Sequence, residues 1–344
     1  MQQKQLRRVL TAALSGIVLL GASAAGLDAK AAAAAAQTEE GMTAAEADGG
    51  GAAAKEQTEE SSDERPAAAR PEEEFAQPSM SFEEYPRIDG SLACVPLCEA
   101  LAVRVTGCTA EQAEETMADF TNTNPCYIEL AEGRRDILLA YEPAESTKKA
   151  LEAYDPLVME PIGKDALVFL VNENNPVESL TREQAYDIYT GKITNWSEVG
   201  GTDSEIRAFQ RPETSGSQTM MRKLLIGDAP MAEADTEMIA VGMDDIIEVL
   251  TEYDNSADAL GYSVYYYASE MFRQPGLKFV AVDGVFPSNG TISSGEYPLV
   301  NEFYCVTNAQ SSERAKELQI WLTQRGGQSF VEECGYVPVE ETGR

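Results

Sequence analysis

Ala166-Leu-Val-Phe-Leu-Val171 is an unbroken apolar run, closed by Asn174-Asn-Pro176 and followed from Leu180 to Tyr189 by apolar residues at helical spacing. Such a run has the length of a strand and no polar face, so it predicts a strand buried on both sides; the Asn-Asn-Pro turn then hands over to a helix capped by Ser179 or Thr181. The alternation continues upstream. Tyr85-Pro-Arg-Ile88 reads as a short strand, Asp89-Gly90-Ser91 as a turn, Val95–Val105 as a helix, Asp136–Ala140 as a second buried strand and Glu145–Ala153 as a helix. It continues downstream as well. A loop at Gly191–Gly201 with Trp196 as a packed anchor leads to a strand at Ile206–Phe209 and a helix at Thr214–Leu225; a helix at Asp244–Thr251, strands at Gly261–Tyr265, Lys278–Val282 and Glu302–Thr307, and an amphipathic helix at Ser312–Arg325 complete the pattern. Alternating strands and helices predict an α/β fold with mostly parallel sheets. The stretch is long for one sheet, so two lobes are expected, with a ligand held between them at the strand ends.

The N-terminus has a different texture. Lys4, Arg7 and Arg8 precede the apolar run Val9–Leu20, and Ala22-Ser-Ala24 is a small-residue cleavage pattern. Residues 1–27 therefore read as a secretory signal peptide, with an uncleaved membrane anchor as the alternative. An exported protein is expected, at the cell surface or outside the cell. No cysteine follows the run, so a lipid-anchored start has no support. Residues 28–81 are rich in Ala, Glu, Gln, Gly, Ser and Pro, a composition too poor in apolar side chains to offset the entropy of ordering; a disordered acidic linker is expected.

The formal net charge is −32. Residues 28–74 hold thirteen acids and four bases, so most of the acidity belongs to the folded part. That excludes nucleic acid and anionic lipid as natural partners, and it means that any anion site must rely on short-range, desolvated hydrogen bonds. The chain has no histidine, which removes a Ser-His-Asp relay, and it has neither a phosphate loop of the G-x-x-x-x-G-K-[ST] type nor a G-x-G-x-x-G after a strand. No catalytic residue, metal or cofactor is expected. The six cysteines, Cys94, Cys98, Cys108, Cys126, Cys305 and Cys334, read mainly as small buried apolar residues, with room for one disulfide. Tyr262, Tyr265, Tyr266 and Tyr267 read as a strand of mixed packing with an exposed edge.

Two segments have oxyanion chemistry. Where a strand turns into a helix, the helix N-terminus offers unpaired N–H groups and about half a positive charge. Asp89-Gly90-Ser91 enters the helix near Val95. Arg211 is followed by Ser215-Gly216-Ser217: a planar fork for two oxygens, two hydroxyl donors and a glycine that allows close backbone approach.

Arg211-x-x-x-Ser215-Gly216-Ser217 resembles the Arg-x-x-x-Ser-Gly-Thr signature of the phosphate-binding proteins that serve phosphate ABC transporters. Ile188-Tyr-Thr-Gly-Lys-Ile-Thr-Asn-Trp196 with Val199-Gly-Gly201 is similar to their Ile-Tyr-x-Gly-Lys-Ile-x-x-Trp segment, Gly261-Tyr262 to their Gly-Tyr strand, and Tyr85–Leu97 to their first anion loop. The resemblance covers about residues 82–340. It implies a type II periplasmic-binding fold, with residues 82–165 and 282–344 as one lobe, 166–281 as the other, and two crossover strands as the hinge. By position it implies Arg211, Ser215, Gly216 and Ser217 as second-lobe ligand residues, and Ser91 with the backbone of Leu92 as first-lobe ones. It implies Glu142, with Asp136 as second choice, as a carboxylate that accepts the proton phosphate retains and sulfate lacks. Three positions depart from the family pattern: Leu92 stands where a Thr or Ser is expected, Ser217 where Thr is usual, a mild change, and Glu142 where an Asp would reach less far; these leave anion binding intact and put selectivity in question. The function implied is capture of phosphate or a similar oxyanion by a monomer that delivers it to an ABC permease. The alternative is a cell-surface anion sensor or adaptor of the same fold without transport.

Overall fold

The computed structural model describes residues 76–234, 256–271, 273 and 275–339. The leader, the linker as far as residue 75 and the helix expected at Asp244–Thr251 lie outside them. The strands are β1 (Ile88–Gly90), β2 (Ile137–Tyr141), β3 (Val158–Asn172), β4 (Ser179–Leu180), β5 (Arg207–Ala208), β6 (Ala259–Val264), β7 (Leu277–Val282) and β8 (Val300–Thr307). The α-helices are α1 (Val95–Thr106), α2 (Ala110–Thr116), α3 (Thr123–Ala131), α4 (Glu145–Leu151), α5 (Arg182–Tyr189), α6 (Gly216–Met221), α7 (Asn289–Ser293), α8 (Glu313–Leu322) and α9 (Arg325–Glu333). A π-turn, Arg222–Ile226, extends α6 without a break.

The strands run in the order β1-β2-β8-β3-β6-β5, with β7 also on β3 and β4 on β7. The long β3 belongs to both halves of this sheet: residues 158–166 pair with β8, and residues 167–172 with β6 and β7. Its second part is the apolar run expected from the sequence, and Ala166–Val171 are all buried. Among the described residues three of the seven strand pairings are parallel and four antiparallel, so the expectation of mostly parallel sheets is corrected. The reason lies in the middle of the sheet. β3 carries the chain out of the first half, and β8, which follows the return segment, lies antiparallel to it and to β2.

Several local expectations shift in the same way. Asp89 and Gly90 end β1 and do not form a turn; a Cβ on Gly90 would lie 1.9 Å from the Leu139 carbonyl oxygen of β2, so the glycine serves close strand approach. The linker expected to run to residue 81 ends earlier, because Met80 is buried and its N–H donates to Val105 O at 3.0 Å. The helix expected at Ser312–Arg325 is α8, capped by Ser312, and a second helix that was not expected follows it. α8 stops at Leu322 and α9 starts at Arg325, and a Cβ on Gly327 would meet the Trp321 carbonyl at 2.2 Å. Thr181 caps α5 through Gln184 N–H at 3.0 Å, and buried Trp196 anchors its loop by donating to Asp258 O at 2.9 Å. The tyrosine edge is covered: Tyr262, Tyr266 and Tyr267 are buried, and Tyr266 stacks on Tyr336 at 3.6 Å. All six cysteines are free thiols, five of them buried. No helix among the described residues is long and apolar enough to cross a membrane.

Candidate functional site

Three helical N-termini meet at one point. Ser91 precedes the short 3-10 turn Leu92–Cys94 that leads into α1, Thr123 opens α3, and Ser215-Gly216 opens α6. Ser91 Oγ and Thr123 Oγ1 are 2.8 Å apart, and Tyr141 N–H at the end of β2 donates to Ser91 Oγ at 2.9 Å. Gly216 closes the cluster from the other half of the sheet: a Cβ there would lie 2.5 Å from Thr123 Oγ1 and 3.1 Å from the Tyr141 ring. Only glycine lets the two loops approach this closely.

Buried polar residues hold the loops in place. Asp89 accepts from Gly90 N–H, Thr121 N–H and Thr121 Oγ1, each at 2.8 Å, and pairs with Arg135 at 3.3 Å; this fixes the turn that delivers Thr123. Burial raises the Asp89 carboxyl above its usual range, and these donors act against that rise. Asn124 spans the halves. Its amide donates to Glu213 O at 3.1 Å, while its Oδ1 accepts from Ala144 N–H at 2.7 Å. Ser215 Oγ caps α6 by accepting from Gln218 N–H at 3.1 Å and lies 3.4 Å from Ser217 Oγ. Arg211 is buried, at 4% exposure, and its N–H donates at 2.9 Å to Tyr262 Oη, which in turn donates to Gln218. Beneath the cluster, Tyr141 Oη donates to Asp165 Oδ2 at 2.6 Å. Asp165 is fully desolvated, and its carboxyl is pushed up to about 6 by burial, opposed by its hydrogen bonds.

The structure thus brings Ser91, Ser215, Gly216 and Ser217 together, with half-buried Leu92 beside Ser91 and Arg211 on the loop leading into α6. Both expected carboxylates are engaged by basic side chains. Asp136 accepts from the Arg87 guanidinium at 2.8 Å, at the start of β1. Glu142 has its oxygens taken by Lys148, at 2.6 Å, and by Lys223. Burial alone would raise the Glu142 carboxyl, but the two lysines outweigh it and hold it below the usual range. So engaged, Glu142 could take a ligand's proton only in competition with two ammonium groups. It lines a cleft of about 680 Å³ between Pro143–Lys148 and the helical run 216–226, together with Glu213, Arg222 and Asp228.

Thr123, Asn124, Tyr141 and Lys223 escaped the sequence reading. The first two had a signal: Asn122 before Thr-Asn-Pro125, with Cys126, Tyr127 and Leu130 at helical spacing, is an N-cap followed by a buried helix face. Among the described residues no group of His, Cys, Asp and Glu could hold a metal ion.

A family model described as a PBP superfamily domain matches residues 101–325. Over 255 residues the chain is 28% identical to the phosphate-binding protein PstS of Bacillus subtilis (strain 168), a match covering 74% of this chain and 80% of that protein. Among solved structures, a protein from Clostridium perfringens described as a phosphate ABC transporter substrate-binding protein with bound phosphate superposes with a TM-score of 0.57 at 24% identity, covering 74% of this chain and 98% of that one. An ABC-type phosphate transport receptor from Vibrio cholerae gives a TM-score of 0.53 at 23% identity, covering 73% and 98%. These structural likenesses establish the fold.

Proposed function

The chain belongs to the PBP superfamily domain family, and from that premise we propose that it is an extracytoplasmic substrate-binding protein that captures phosphate, or a similar tetrahedral oxyanion, and presents it to an ABC importer without turning it over. The observation that carries this reading is the meeting of three helical N-termini at Ser91, Thr123 and Gly216, with Arg211 buried on the adjoining loop. Helix N-termini present N–H donors and positive dipole ends to one point, a local anion cradle in a chain whose net charge is −32. Ligand donors are assigned to Ser91, the Leu92 backbone, Arg211, Ser215, Gly216 and Ser217, with Thr123 added. The lobes run from about 82 to 165 with 282–344, and from 166 to 281, β3 and the return segment forming the hinge. The PstS relative supports phosphate as the ligand.

Titration calorimetry with phosphate, sulfate and molybdate tests the reading. Arg211→Ala should weaken phosphate binding by about a hundredfold or more, since each charge-assisted hydrogen bond contributes roughly 1.5–3 kcal/mol. A folded Arg211→Ala protein with wild-type affinity would remove the site assignment, and a wild type that gives no heat with phosphate would remove the ligand.

A further inference from the structure

Lys223 lies on the π-turn that extends α6, in the second half of the molecule, yet its ammonium group is held by the first half. It donates to Glu142 at the end of β2 and, at 2.9 Å, to Asn301 Oδ1 at the start of β8, partners 81 and 78 residues away in the chain. Glu142 is steadied within its own half by Lys148 of α4 at 2.6 Å, and Lys148 is also shared with Glu145 at 2.8 Å. The pair stands on the wall of the 680 Å³ cleft between the halves. Each alternative assignment of Glu142 meets an obstacle. An ion pair within one half would leave the halves free of each other; this one crosses. A proton acceptor for the ligand would have to compete with an ammonium group on each of its two oxygens.

We propose that Glu142 and Lys223 form an electrostatic latch that ties the two halves in the closed form and thereby sets how long a captured oxyanion stays. Lys148 positions Glu142 and spans no gap itself. The latch rests on the phosphate-capture reading for its ligand readout only. On opening, Lys223 gives up two partners at once, and Glu142 keeps only Lys148. The latch holds part of the ligand-free protein closed as well as the ligand-bound form, so breaking it speeds release and speeds entry only by restoring the fraction that was closed. The pair is partly exposed, at 42% for Lys223 and 23% for Glu142, so salt screens it.

The test compares wild type with Glu142→Gln, Lys223→Gln, the double variant, Lys223→Arg and Lys148→Gln. In stopped-flow phosphate release, each of the first two should raise the off-rate by about three- to tenfold, and the double variant should raise it no further, since the two residues act as one interaction. Lys223→Arg should keep slow release, and Lys148→Gln should change it little. The pH dependence of affinity should be the same in Glu142→Gln as in wild type. Additive effects, or an altered pH profile in Glu142→Gln with normal release in Lys223→Gln, would overturn the latch, the latter in favour of a proton acceptor. Small-angle scattering of the phosphate-free proteins gives a ligand-independent arm. The Gln variants should be more extended than wild type, as should wild type at high salt, and identical profiles would overturn the latch. A wild type that binds no phosphate defeats the functional reading and leaves this scattering comparison able to judge the latch.

Discussion

Glu99 lies on α1 with 1% of its surface exposed, and its Oε2 has no hydrogen-bond partner among the described residues. Burial, with a smaller contribution from the like charge of Glu114, pushes its carboxyl up from 4.5 to about 7. Between those values the folded protein keeps a proton that the unfolded chain has released. Stability therefore falls as pH rises through that window, and the full penalty is present above it. The magnitude is up to about 3 kcal/mol. Glu99→Gln, which keeps the shape and removes the ionisation, should be more stable than wild type near pH 8 and nearly equal to it near pH 4. Urea unfolding at the two values checks this, and parallel pH profiles would refute it. A buried carboxylate of this kind was invisible in the sequence, where Glu99 reads as one acid in an apolar helix; its environment is created by tertiary packing. Ser215 is the opposite case. Its hydroxyl at the start of a helical run was read from the residues as a donor to an oxyanion, and the structure shows that hydroxyl capping α6 by accepting from Gln218 N–H.

At the level of elements, legibility followed burial. The second part of β3, β2, β6 and α1 were readable because their apolar residues leave no other solution. The first part of β3 was not. Val158-Met-Glu-Pro-Ile-Gly-Lys-Asp165 mixes charges, a proline and a glycine, a poor strand sequence by propensity, and it is a strand because β8 pairs with it, across an irregularity between Pro161 and Gly163. In the candidate site, the Arg211–Ser217 loop was legible from residue chemistry. The helix start at Thr123 has a signal, but the place of Thr123 and Tyr141 in the cluster does not, since they join it only when β1, β2 and α3 are assembled. The β1–β2 pairing also carries a prediction. Gly90 faces the Leu139 carbonyl so closely that Gly90→Ala places a methyl against backbone, which cannot turn aside as a side chain would. The variant should lose about 1–3 kcal/mol of stability or more, and with it the placement of Ser91. A urea midpoint equal to that of wild type would show that the two strands are not this tightly paired in solution.

For the whole molecule, the net charge of −32 and an oxyanion ligand pull in opposite directions. The cradle proposed at Ser91, Thr123 and Gly216 would act within hydrogen-bond distance, but a ligand arriving from solution first meets the field of the entire chain, which repels it. Screening reverses the usual salt dependence. The Debye length shrinks from about 30 Å at 0.01 M to about 8 Å at 0.15 M, so added salt should remove the long-range repulsion while leaving the desolvated cradle nearly untouched. The association rate for phosphate should therefore rise, by roughly two- to tenfold, as sodium chloride is raised across that range, where a positively charged receptor would show a fall. The latch adds a second salt effect on the other rate constant, since screening of the Glu142–Lys223 pair speeds release. Measured affinity alone would mix the two, so association and dissociation have to be followed separately by stopped-flow. An association rate that is flat or falls with salt would mean that the local cations lining the cleft, Lys148, Arg222 and Lys223, set the field the ligand meets, and that the global acidity is silent at the site.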